Sequence, residues 1–246
     1  PANIQYNTGM ASDHDYISRV RDIESDIPAR YNADNRRLFE TSGCAGKLGV
    51  FAVRTDTFAK PKKEKVFYLG TNDPAKLSQL RHDILTKFKH LPEMAEYLHR
   101  TIFEITKTYG KDTFLSVKYL GTKNIPRFFA IKSKVEFILK KIPLLSDSLP
   151  DRALFYLSKL FPQHLPKRIL EFNHKYEHHL ILKMSGEGVD EALEYLSKNW
   201  KNKCNGGFIT CKFAEGNDAL LHRFAAGVAA GRYQMIHNNK VEGILS

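Results

Sequence analysis

Between Lys118 and Arg168 the chain carries eleven Lys/Arg (118, 123, 127, 132, 134, 140, 141, 152, 159, 167 and 168) against three acids, Glu136, Asp147 and Asp151. This stretch holds +8 of the formal net charge of +11, and five of the ten prolines (126, 143, 150, 162 and 166). Like charges at that density belong on a surface, and prolines at that density break up sheet and helix interiors. The stretch is therefore read as a long insertion into a fold built by the rest of the chain. With 42% hydrophobic residues in 246, the chain as a whole has ordinary globular composition and enough core for one large domain or two small ones.

The insertion also bears apolar groups that look exposed: Phe128-Phe129, Phe137-Ile138-Leu139, Leu144-Leu145, Phe155-Tyr156-Leu157 and Leu160-Phe161. Three readings compete. A solvated basic face is the simplest. Nucleic acid is the second, since basic side chains bind phosphates and aromatics stack on bases. An anionic membrane surface is the third, with Lys/Arg drawn to acidic headgroups and Phe/Leu inserted shallowly. Short apolar wedges between basic residues favour the third. A base-stacking platform more usually spaces single aromatics along a strand.

Other classes fall away. Cys44, Cys204 and Cys211 are too few and scattered for a disulfide framework or a zinc site, which suggests a reducing compartment. No run of about 18 apolar residues exists for a membrane span. The start at Pro1-Ala2-Asn3 lacks an initiator Met and a signal pattern, and the end at Ile244-Leu245-Ser246 is abrupt. Both ends read as cuts in a longer chain.

Outside the insertion, strand and helix signals alternate. Lys47–Arg54 and Lys65–Leu69 read as strands. Asn72 or Asp73 caps a helix opened by Pro74, with Leu77, Leu80, Ile84, Leu85 and Phe88 on one face. A second helix is expected after Pro92, carrying Met94, Leu98, Ile102 and Ile105 and stopped by Gly110. Tyr176–Met184 reads as a strand, Val189–Trp200 as a helix and Phe208–Phe213 as a strand. Asn217-Asp218 is read as the cap of a last, Ala-rich helix. The fold class is α+β, with helices on one face of a mostly antiparallel sheet.

Few residues announce chemistry. No nucleotide-binding, nucleophile-elbow or zinc-protease motif occurs. Gly43, Gly46 and Gly49 are regularly spaced at a turn, where they allow either close cofactor approach or merely the turn. His178 and His179 are adjacent on a strand, so they face opposite ways and do not share a metal. Arg223 and Arg232 on the last helix are candidates to hold a carboxylate, although surface pairing is the simpler role.

Several long segments nevertheless resemble one family. They are Asp15–Glu40 (DYISRVRDIESDIPARYNADNRRLFE), Thr41–Phe58 (TSGCAGKLGVFAVRTDTF), Val66–Asn72 (VFYLGTN), Tyr109–Phe114 (YGKDTF), Lys175–Met184 (KYEHHLILKM) and Leu221–Gln234 (LHRFAAGVAAGRYQ). From about residue 13 onward the chain resembles the middle of the bacterial respiratory, quinone-dependent D-lactate dehydrogenases. The resemblance implies the tail of a vanillyl-alcohol-oxidase-type FAD domain at 1–56. It implies a ferredoxin-like cap at 57–98 and 176–246, the second part incomplete, and a membrane-binding insertion at 99–175. It implies FAD contact at Val50 and more weakly at Gly49 and Gly46. The main phosphate-binding loop and the catalytic base are expected outside this chain, which alone is not expected to hold FAD or be active. His178, His179, Arg223 and Arg232 become possible substrate-side residues. The implied activity is oxidation of D-lactate to pyruvate, with electrons passed to membrane quinone. The eleven basic residues of 118–168 would hold the enzyme peripherally on anionic phospholipid at the cytoplasmic face of the bacterial inner membrane. Nucleic acid is the less favoured partner. The alternative is a non-catalytic module that binds acidic lipid or nucleic acid through the same segment.

Overall fold

A computed structural model describes residues 15–26, 49, 51, 58–121, 123–139, 155–200 and 205–237. The expected strand at 47–54 lies almost wholly outside them. Four strands form one antiparallel sheet: β1 (Glu64–Thr71), β2 (Met94–His99), β3 (His178–Ser185) and β4 (Gly207–Thr210), in the order β2-β3-β1-β4. Two strand–helix–strand units interleave to make it, so β1 and β3 are the inner strands. From Val66 onward β1 is buried at every position. A run such as VFYLGT, apolar without alternation, is what a strand covered on both faces needs.

Helices do cover both faces, where one covered face was expected. On the first face, Phe67, Leu69, Leu182 and Met184 meet Leu80 and Ile84 of α2 (Pro74–Lys87) and Phe88 just after it. The same core takes Val189 and Ala192, on the helix Gly188–Tyr195, and Leu196 and Trp200 of the π turn that follows it. On the second face, Val66, Tyr68, Ile181 and Ile209 meet residues from the inserted stretch and the last helix. These are Phe103 of α3 (Arg100–Tyr109), Phe114 of α4 (Lys111–Leu120), Ile169 on the helix Lys167–Lys175, and Ala219. The described part of the insertion, expected to show little regular pattern, is thus largely helical. It also contains α5 (Ile125–Leu139). The helices Lys167–Lys175, Gly188–Tyr195 and Phe213–His237 are α6, α7 and α8; α1 is the short Tyr16–Arg21. Two of the prolines read as loop punctuation sit at helix starts: Pro126 in the first turn of α5, and Pro166 at the N-cap of α6.

Local signals explain the rest. Asp73 Oδ1 accepts from the Ala75 amide at 3.0 Å, and Pro74 opens α2, as its sequence foretells. Asn72 instead ties the end of β1 to the approach to β3: its side-chain Oδ1 accepts from the Glu177 amide at 2.9 Å. Gly70 and Gly207 leave room for Tyr176, and a Cβ on Gly207 would lie 2.7 Å from the phenol oxygen. The single helix expected after Pro92 is replaced by β2 followed directly by α3. Met94 and Leu98 are four apart, a spacing that keeps one face in a strand as well as in a helix, so their periodicity could not discriminate. The His99 ring caps α3 by accepting from the Thr101 amide at 3.1 Å. The last helix starts at Phe213, not at Asn217-Asp218, and Asp218 is a buried ion-pair partner rather than a cap.

Candidate functional site

Helix α4 ends at Gly121, whose φ of +70° suits a residue without a side chain, and α5 begins four residues later. Arg127, Ile131, Lys134 and Ile138 fall at i, i+4, i+7 and i+11, so they share one face of α5. All four are exposed, with Ile131 63% and Ile138 60% accessible. Cationic and aliphatic side chains therefore alternate along one solvent-facing stripe. Phe137 and Val135 are exposed as well. Ile131 and Val135 were missed in the sequence, where attention fell on contiguous wedges; their helical spacing was the available signal.

The other basic residues divide by partner. Lys118 is drawn inward, its Nζ 2.8 and 3.0 Å from the two Asp218 carboxylate oxygens. Arg168 donates to Glu215 at 3.0 and 3.3 Å, and Lys167 lies 3.8 Å from Glu171. Lys159 sits 4.5 Å from the Phe155 ring centroid and 5.1 Å from that of Tyr156. Lys123 is exposed. Lys140, Lys141, Arg152 and the side chain of Lys132 lie outside the described residues, as do Val50 and Gly46. Of the apolar groups, Tyr156, Leu157, Leu160 and Phe161 are exposed. Phe155 is not: it is buried and stacked on Tyr109, centroids 5.2 Å apart and rings 5° from parallel.

Gly49 is exposed, and nothing lies within 4 Å of where its Cβ would be. The four substrate-side candidates do not converge. His178 faces the first side of the sheet, partly exposed, its Nδ1 2.7 Å from the Tyr97 hydroxyl. Burial, then the nearby Glu177 carboxylate, raises the Tyr97 phenol. A pocket of about 450 Å³ adjoins this pair, lined by Leu77, Arg81, Leu85, Ala95, Tyr97 and Leu180 among others. His179 is on the opposite face, fully buried against Tyr68 and Phe103. Arg223 reaches Glu96 at 2.7 Å. Arg232 is buried and holds Asp112 through both terminal nitrogens, while also donating to the Tyr109 carbonyl at 2.7 Å. Its bidentate geometry is the one foreseen for carboxylate recognition, directed at a carboxylate of the fold itself.

Two further histidines share the second core with His179. His222 lies 4.4 Å from the Phe103 ring, and His164 lies 4.5 Å from the Phe114 ring. Burial pushes His222 down to about 3, and His164 and His179 each to about 4. All three are neutral at pH 7 and belong to packing. Among the described residues no helix is long and apolar enough to cross a membrane, and no group of side chains could hold a metal.

Comparison with known proteins fits this geometry. The family model described as "D-lactate dehydrogenase, membrane binding" matches residues 66–246. The quinone-dependent D-lactate dehydrogenase of Escherichia coli (strain K12) is 50% identical over 244 residues, 99% of this chain and 43% of that protein. Those of Haemophilus influenzae and Corynebacterium glutamicum are 46% and 36% identical, over 99% and 96% of this chain. The chain spans 41–43% of the length of these curated relatives. Matched across most of its length, the chain belongs to the membrane-binding D-lactate dehydrogenase family.

Proposed function

We propose that the chain is the membrane-attaching part of a peripheral, quinone-dependent D-lactate dehydrogenase and that it also covers the substrate site. In this reading residues 1–56 end the first part of an FAD domain. Residues 57–98 and 176–246 are a ferredoxin-like cap, and 99–175 are the inserted membrane-binding segment. The reaction removes two electrons and two protons from D-lactate to give pyruvate, and the electrons reduce membrane quinone. FAD, bound by the rest of the polypeptide, supplies the hydride acceptor for that step. The part played by this chain is to bring the enzyme to the leaflet in which its quinone is dissolved, the cytoplasmic face of a bacterial inner membrane.

The observation that carries the reading is the face of α5. Arg127 and Lys134 supply attraction to acidic headgroups, about 1 kcal/mol for each such residue near the surface. Ile131 and Ile138 between them supply shallow apolar insertion. Lys123 and Lys159 add to the positive field, as does the formal charge of Lys132, Lys140, Lys141 and Arg152, whereas Lys167 and Arg168 are paired with Glu171 and Glu215. Attachment of this kind is reversible and weakens with salt. Sedimentation with vesicles tests it. The chain is expected to pellet with anionic vesicles at low salt, to dissociate at high salt, to ignore zwitterionic vesicles and to resist DNA competition. Loss of the vesicle signal to DNA would support the nucleic-acid alternative.

A further inference from the structure

Helix α8 wears its apolar residues inside out. Its buried face combines small side chains, Gly216, Ala219, Ala225 and Ala229, with Asp218, His222 and Arg232, and at Gly216 it comes close enough to Val66 of β1 that a Cβ would lie 2.9 Å away. Its outward face carries large ones: Phe213, Phe224, Val228 and Met235, with Phe213 72% and Phe224 58% exposed. These positions repeat at helical spacing over about 33 Å of helix. On this outward face no position bears Lys, Arg, Asp or Glu; Arg223, its side chain 39% accessible, is paired with Glu96. The charged side chains of α8, Glu215, Asp218, Arg223 and Arg232, are each engaged in ion pairs within the fold, whereas the exposed Phe213–Phe224–Val228–Met235 face packs on nothing among the described residues.

At its N-terminal end this face borders a groove of about 590 Å³ against α4, walled by Val117, Lys118, Gly121, Phe213, Leu220 and Phe224 among others. The Lys118–Asp218 pair neutralises the charges in its wall. Gly121 leads from the groove into the turn before α5, where Lys123 and Arg127 are exposed. An apolar trough opening onto a cationic rim matches a molecule with an aliphatic chain and an anionic head. We infer that the α4–α8 groove and the outward face of α8 form a second lipid-contacting surface, continuous with α5, and that the groove seats an acyl chain of an anionic phospholipid leaflet. This rests on the membrane reading of α5 and extends the contact to a helix of the proposed cap.

Fluorescence of the 246-residue chain tests it. Its one tryptophan, Trp200, is 2% exposed in the core of the first face, so its emission does not report lipid contact. Phe224→Trp places a reporter on the groove. With vesicles of phosphatidylglycerol and phosphatidylcholine carrying brominated acyl chains, Phe224→Trp is expected to be quenched while the parent is not. The double variant Phe213→Ser/Phe224→Ser is expected to need about tenfold more lipid for half-binding, with unchanged thermal melting. If the parent pellets with the vesicles but Phe224→Trp is unquenched and the double variant binds as the parent does, the groove inference is overturned and the membrane reading stands. If the parent does not pellet, that reading falls and takes the inference with it. If the double variant only abolishes concentration-dependent self-association, a second copy of the chain covers the face and the inference is overturned.

Discussion

Arg232 and Asp112 illustrate how a residue that looks functional can be consumed by the fold. Both are buried, and together they fasten the last turns of α8 to the start of α4. Arg232→Met would leave the Asp112 carboxylate buried without its partner, a loss of about 3–5 kcal/mol. Urea unfolding should show that loss for the single variant and much less for Arg232→Met/Asp112→Leu, in which both charges are gone. The three histidines of the second core make a separate prediction. Each has a folded-state pKa below the ordinary value near 6.5, because burial disfavours the imidazolium. Neighbouring Lys107, Lys111 and Lys118 add to this at His164, as do Lys107 and His164 at His222 and Arg100 at His179. Between about pH 6.5 and 4 the unfolded chain therefore binds more protons than the folded one, so stability falls as pH falls through that window. Each histidine contributes a slope of up to about 1.4 kcal/mol per pH unit. His222→Leu should flatten the measured dependence; an unchanged slope would assign it to other groups.

The elements show which signals a sequence makes legible. The Asp73-Pro74 cap, the inner strands β1 and β3 and the opposed faces of His178 and His179 were all readable, because each rests on local chemistry or a period of two. Edge strand β2 was not. Its Met94–Leu98 spacing suits helix and strand alike, and the pairing with β3 that decides between them is contributed by residues 79 to 89 positions away. Helices α4 to α6 were hidden by composition: prolines taken as loop signals mark helix starts, and basic residues taken as one solvated surface include Lys118, which reaches inward to Asp218. The basic stripe of the candidate site was legible as charge. Its aliphatic half was not, since Ile131 and Val135 meet Arg127 and Lys134 only when the backbone is wound. In α8 the cap was placed at Asn217-Asp218, four residues late, which left Phe213 outside the helix and concealed the outer face it shares with Phe224.

At the scale of the whole molecule, one antiparallel sheet is covered twice, and the second cover does two jobs. Helices α3, α4 and α6 close the core, and α5 is sent outward from the same stretch of chain. The stripe is carried outward from the packed helices, so charge and apolar surface are presented together, and among the described residues no helix is long and apolar enough to cross a membrane. This arrangement lets the two contributions to attachment be separated on a single scaffold. Vesicle sedimentation of Arg127→Gln/Lys134→Gln and of Ile131→Ser/Ile138→Ser, each across a salt series, is the most direct measurement. All four positions are exposed, so neither variant should alter thermal melting. The charge variant is predicted to lose its preference for anionic over zwitterionic vesicles and its salt dependence. The aliphatic variant is predicted to bind several-fold more weakly at every salt concentration while keeping that preference. If both variants bind anionic vesicles as tightly as the parent, with the same salt dependence, α5 does not face the membrane.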